Sequence, residues 1–129
     1  MILNLTDLSN EPLQSQIVRQ IRAKILSGEL GAEEALPSIR GMAKDQMVSV
    51  ITVQRSYEIL ERENLIHSRR GKGFFVSEIK NIRKKEMAIE RLIERLQPVI
   101  EDALLEGLSV KDLESILAKV VEQNIAKNN

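Results

Sequence analysis

Between Pro12 and Val76 the hydrophobic pattern changes period once, from helical to extended, and this switch limits the fold more than any other feature of the chain. Leu13, Ile17, Ile21, Ile25 and Leu26 recur at three- and four-residue steps, which predicts an amphipathic helix opening at Pro12 and closing at Gly28. Leu36-Pro-Ser38 restarts the chain, with Ser38 a good N-cap for a short helix through Met42 and Ala43 to about Gln46. Val48-Ser49 makes a tight break. Ser49 then caps a third helix that turns Val53, Tyr57, Leu60 and, at its margin, Ile59 inward and ends near Asn64. Two β-prone runs, Leu65–Arg69 and Phe74–Val76, flank Gly71-Lys-Gly73, a glycine-rich connection short enough to be a hairpin turn.

Beyond Ser77 the pattern is purely helical. Ile82, Ile89, Leu92, Ile93, Leu96, Val99, Ile100, Ala103 and Leu104 trace one long stripe, and Pro98 inside it predicts a kink or a break into two helices. Gly107 closes this segment, and Ser109-Val-Lys-Asp112 resembles a capping box for a last helix with Val110, Leu113, Ile116, Leu117, Val120 and Val121 on its apolar face. Asn128-Asn129 is expected to fray. The expected fold class is mainly α with a small β-hairpin, divided into residues 1–77 and a two-helix segment, 78–129.

Composition removes most chemistry. The chain has 129 residues, room for one domain with an appendage, and 43% hydrophobic residues, enough to bury a core. The absence of cysteine removes thiolate nucleophiles and Cys-based metal sites, and one histidine, His67, leaves no His cluster; no metal, cofactor or enzymatic activity is expected. Gly71-Lys-Gly73 lacks the spacing of a phosphate-binding P-loop, and Glu90 and Glu94 sit among Arg91 and Arg95 as a solvated ion-pair face. Nothing spans a membrane and no secretory signal opens the chain, so a cytoplasmic location is expected. Three aromatic residues are too few for a base-stacking platform, which argues against single-stranded nucleic acid.

Nineteen basic and nineteen acidic residues cancel, yet the charge is uneven. Residues 36–76 hold seven basic and four acidic groups, including Arg69-Arg-Gly-Lys-Gly73. A small basic surface suits a polyanion. Helix, helix, tight turn, helix and hairpin is the order of a winged helix-turn-helix, whose third helix enters the DNA major groove and whose hairpin touches the adjacent minor groove or backbone. Double-stranded DNA is therefore the expected partner.

The succession Pro12-Leu-Gln-Ser-Gln-Ile-Val, Ile25-Leu-Ser-Gly-Glu-Leu30, Leu36-Pro-Ser-Ile-Arg40, Thr52-Val-Gln-Arg-Ser-Tyr57 and Arg70-Gly-Lys-Gly-Phe-Phe-Val76 closely resembles the DNA-binding domain of GntR-family bacterial repressors over roughly residues 11–77. The short helical remainder resembles the YtrA-type branch of that family. The resemblance implies a transcriptional regulator, a repressor in its commonest form, binding a palindromic operator as a homodimer. It also implies that Arg40, in the family's Leu-Pro-Ser-x-Arg pattern, lies on DNA. Three places depart from the family pattern. Met47 stands where glycine is usual, Ala32-Glu-Glu-Ala35 replaces a Pro-Gly-Asp-like turn, and Val50 and Ile51 stand where relatives often carry Arg, Pro, Asn or Asp, so that either could touch thymine methyls.

Candidate DNA contacts follow, each with an ordinary alternative. Ser38 and Arg40 open the second helix, whose N-terminus favours phosphate, and an arginine there binds phosphate or guanine with two prongs or is simply solvated. Ser49, Thr52 and Gln54 occupy the first turns of the recognition helix, where Thr52 is equally an ordinary helix-start residue. Arg55 either reaches phosphate or pairs with Glu58 or Glu61. Arg69, Arg70, Gly71, Lys72 and Gly73 combine close backbone approach with cations suited to a narrow groove; otherwise they form a solvated turn. His67 is expected to be an ordinary strand residue.

The dimer expectation rests on the second segment. Its long stripe carries more apolar surface than the Val110–Val121 helix can cover, and an uncovered stripe would aggregate. Ile89, Leu92, Ile93, Leu96, Ile100, Leu104, Leu113 and Leu117 are the expected dimer contacts; the alternative is a monomer whose last helices fold onto the winged domain. About fifty residues leave no deep effector cavity of the usual ~300–1,000 Å³ within one chain, so any small-molecule effector, of unknown identity, is expected between two chains. A competing reading of the whole chain is a winged-helix protein-interaction module that binds no DNA. The cationic set of Arg40 and Arg69–Lys72 distinguishes the two, because a docking module has no need of it.

Overall fold

The computed structural model describes residues 1–128 and contains five helices and one hairpin. The elements are α1 (Leu13–Leu26), α2 (Ile39–Gln46), α3 (Val50–Arg62), β1 (Ile66–Arg69), β2 (Gly73–Val76), α4 (Asn81–Leu105) and α5 (Val110–Asn128). Asn129, half of the pair expected to fray, lies outside the described residues, while Asn128 still belongs to α5.

Local chemistry sets the helix ends. Pro12 stands just before α1 rather than inside it, and Gly28, with φ 86°, follows its end. Ser38 Oγ accepts from Gly41 N at 3.0 Å, and Ser49 Oγ from Thr52 N at 3.0 Å, as N-caps should. Ser109 and Asp112 cap α5 reciprocally: Asp112 N donates to Ser109 Oγ at 3.1 Å, and Ser109 N to Asp112 Oδ2 at 2.8 Å. The bond from the Ser109 backbone N–H, and after it the Ser109 side chain, hold the Asp112 carboxyl below its ordinary pKa.

Three helices end in the same way. Leu108 N donates to Ala103 O and Gly107 N to Leu104 O after α4, and the same pair of bonds closes α2 at Met47 and Val48 and α3 at Asn64 and Leu65. The motif needs a left-handed residue, supplied by Gly107, Asn64 and Met47, whose φ values are 95°, 63° and 56°. Glycine and asparagine adopt that backbone readily. Met47 does not, and its strain is on the order of 1–2 kcal/mol.

Residues 1–88 form one compact unit and residues 89–128 belong to a second. The core of the first joins Ile17, Ile21 and Ile25 of α1, Met42 and Ala43 of α2, Val53, Tyr57 and Leu60 of α3, and Leu65, Ile66 and Val76 around the hairpin. Leu3 is buried with them, while Ile59, Phe74, Ile79 and Met87 pack at the margin. The first turns of α4 therefore belong to this unit, and the seam between units falls inside the helix.

The hairpin is antiparallel, pairing Ile66 with Val76 and Arg69 with Gly73. A third extended segment, which carries no β-prone sequence, joins its outer edge. Glu33 N donates to Val76 O, Val76 N to Glu34 O, and Leu36 N to Phe74 O, all within 2.8–2.9 Å. Ala32-Glu-Glu-Ala35 is thus more than a turn.

In the second unit, α4 passes through Pro98 without the break that was one of the two expectations. Proline removes the N–H that would bond the Glu94 carbonyl and its ring crowds that carbonyl, a local loss that the 25-residue helix spans. No residue of α4 or α5 is buried among those described. No described helix is long and apolar enough to cross a membrane.

Candidate nucleic-acid interface

The start of α2, the outward face of α3 and the hairpin turn carry the candidate residues, and Tyr57 ties these three parts together. Its ring is fully buried, its hydroxyl donates to Pro37 O at 2.8 Å just ahead of α2, and it meets Phe74 of β2 edge-on at 5.1 Å. Burial pushes the phenol well above its ordinary pKa, so it stays protonated and keeps donating. Arg22 and Glu63 form a second tie. Arg22 Nε and Nη2 donate to the two oxygens of Glu63 at 3.0 and 2.7 Å, a two-pronged bridge from α1 to the end of α3.

On α3, burial of Val53, Ser56, Tyr57 and Leu60 turns Ile51, Gln54, Arg55 and Glu58 outward, one helical stripe apart. Gln54 Nε2 donates to Glu58 Oε1 at 3.3 Å, and Glu61 accepts from Ser68 Oγ at 3.1 Å. Both acids proposed as partners for Arg55 are thus otherwise engaged, and Arg55 is exposed without an ion pair among the described residues. Ser49 and Thr52 spend their hydroxyls on the cap: Oγ and Oγ1 lie 2.7 Å apart. Ser38 likewise caps α2, and Arg40, two residues on, is exposed.

The hairpin turn closes through Lys72 N donating to Arg69 O at 2.9 Å. Gly71 and Gly73 have φ of 74° and 93°, values a side chain would strain. Arg70 and Lys72 project from this turn exposed and unpaired among the described residues. Arg69 differs. Its guanidinium lies 4.4 Å from the centre of the Phe75 ring and bonds Glu33, which also faces His67 Nε2 at 3.5 Å. The sequence reading grouped Arg69 with its neighbours and missed Glu33. Nothing local links them; only the added extended segment brings Glu33 to the hairpin.

The expected dimer contacts Ile89, Leu92, Ile93, Leu104 and Leu117 are exposed, and Leu96, Ile100 and Leu113 are half-buried, all within residues 89–128. Among the described residues no group of acidic or histidine side chains could hold a metal.

Residues 13–76 match the model of the gntR family of bacterial regulatory proteins. The chain is 30% identical over 112 residues to the HTH-type transcriptional repressor YtrA of Bacillus subtilis (strain 168), covering 87% of this chain and 86% of YtrA. A GntR family transcriptional regulator from Listeria monocytogenes superposes with a TM-score of 0.72 at 27% identity, covering 89% of this chain and 98% of the other. The AraR DNA-binding domain, solved in complex with operator ORX1, superposes with a TM-score of 0.51 at 25% identity over 58% of this chain and 93% of that one. From the family match and the likeness to YtrA along most of both sequences, the chain belongs to the GntR family of bacterial regulatory proteins.

Proposed function

We propose that this regulator is a repressor that binds a two-fold symmetric DNA operator as a homodimer, with residues 1–77 touching DNA and residues 78–129 joining the two chains. The observation that carries the reading is the set of exposed cations without ion-pair partners among the described residues at the three places a winged helix meets a duplex: Arg40 opening α2, Arg55 on α3, and Arg70 and Lys72 on the hairpin turn. Relatives support it: YtrA is a repressor by name, and the AraR domain is solved on an operator. Ser38 and Ser49 contribute through the helix N-termini they cap, which present backbone N–H groups to phosphate. Thr52 and Gln54 add polar contacts by turning from the Ser49 hydroxyl and from Glu58 to the duplex, and Gly71 and Gly73 let the hairpin backbone approach closely. Arg69 contributes only by exchanging Glu33 for a phosphate. Joining two chains through α4 and α5 would set two α3 helices in successive major grooves, about 34–36 Å apart.

The test is fluorescence anisotropy of the full chain on the palindrome of its own promoter region and on a scrambled duplex, across a salt series. Arg40→Ala is expected to weaken operator binding by about 1–3 kcal/mol, the range of a lost two-pronged contact. Lys72→Ala should lower affinity on both duplexes and reduce the salt slope by about one. Binding unchanged in both variants would remove these residues from the interface.

A further inference from the structure

The start of α3 presents an apolar surface that no described residue covers. Met47 is 92% exposed, Ile51 58% and Val50 44%, and the three flank the Ser49 cap in sequence. Met47 is strained as well as exposed, since its left-handed backbone suits glycine or asparagine. A strained, solvated methionine gains nothing for the isolated chain. It gains when something dry covers it.

The neighbours of this patch define what can cover it. Ile51 shares the outward stripe of α3 with Gln54 and Arg55, one turn along. The occupant must therefore set small apolar groups directly beside negative charge and hydrogen-bonding edges. The major groove of duplex DNA does so: phosphates line its rims, and the C5-methyl of thymine is the apolar group among its base edges. Resting on the DNA-binding reading above, we propose that Met47, Val50 and Ile51 make a dry contact with thymine C5-methyl groups in each operator half-site, so that sequence is read partly through methyls. An apolar patch on a protein partner is the rival occupant, and it predicts no response to a DNA methyl.

The experiment uses the full chain and a duplex it selects from a random-sequence pool. Each thymine of that duplex is replaced, symmetrically in both half-sites, by deoxyuridine, which removes the methyl and keeps every hydrogen-bonding group. Burial of one methyl corresponds to about fourfold in affinity, so symmetric removal at a contacted thymine is expected to weaken binding about tenfold or more. Ile51→Ala and Met47→Ala, both at exposed positions, are expected to bind the thymine duplex more weakly and to lose that sensitivity. Equal binding of every deoxyuridine duplex by the unaltered chain overturns the proposal, as does full sensitivity retained by both variants. Either result leaves the DNA-binding reading standing, because a duplex was still selected. Failure to select any duplex overturns both.

Discussion

Leu96→Glu is expected to turn the full-length protein into a monomer at micromolar concentration and to abolish tight operator binding while leaving residues 1–88 folded. Leu96 lies half-buried beside Ile93 and Ile100 in the middle of α4, on a helix that buries no side chain of its own. Ile89, Leu92, Ile93 and Leu104 extend the exposed stripe on both sides. Single exposed aliphatics are ordinary, but a continuous stripe of this length marks an interaction surface. A two-fold axis through such a stripe brings each residue near its own copy, so a carboxylate there would be buried close to a second carboxylate. Desolvation and like-charge repulsion together are expected to cost on the order of 4 kcal/mol, about a thousandfold in the dimer dissociation constant. Sedimentation velocity measures this. A Leu96→Glu protein that sediments as the unaltered chain does would place the interface elsewhere.

Tyr57→Ala carries the second large effect, on stability. The substitution empties a fully buried site and removes an edge-on contact with Phe74 and the only hydrogen bond described to the Pro37 carbonyl. Truncation of a buried aromatic costs about 3–5 kcal/mol, a large share of the ~5–15 kcal/mol that holds a domain together. Tyr57→Phe keeps the ring and loses only the hydroxyl, which should cost about 1–2 kcal/mol. Because Tyr57 joins α3 to the residues ahead of α2 and to the hairpin, the alanine variant is also expected to lose DNA binding at temperatures where it remains partly folded. Urea unfolding followed by circular dichroism gives both values. Unfolding free energies for the two variants within about 1 kcal/mol of each other would contradict this assignment of the ring.

The elements that the sequence reveals are those fixed by neighbours a few residues away. The Ser38, Ser49 and Ser109 caps each bond a residue three positions on, and the apolar steps of α1 and α3 repeat within one turn. The hairpin is equally local, because Gly71 and Gly73 supply its backbone. What stays hidden depends on pairing across the fold. Gln16 follows Gln14 and Ser15 and is polar like them, yet it is buried and braces the N-terminal segment, donating to Thr6 O at 2.9 Å and Glu11 O at 2.8 Å. Arg22 and Glu63 lie 41 residues apart, and Arg69 and Glu33 lie 36 apart; charge patterning along the chain carries no trace of either pair. The same limit explains why Arg55 stayed undecided between phosphate and an acid. Glu58 meets Gln54 one helical turn away, but only the packing of the hairpin on α3 commits Glu61 to Ser68.

On the proposed function, two copies of this chain hold one operator. Sedimentation velocity of the full-length protein with a fluorescent duplex carrying the palindrome of its own promoter region, in the presence of excess scrambled DNA, tests it most directly. The expected result is a complex of two chains per duplex that persists against the competitor. One chain per duplex, or label sedimenting as free DNA, would contradict it.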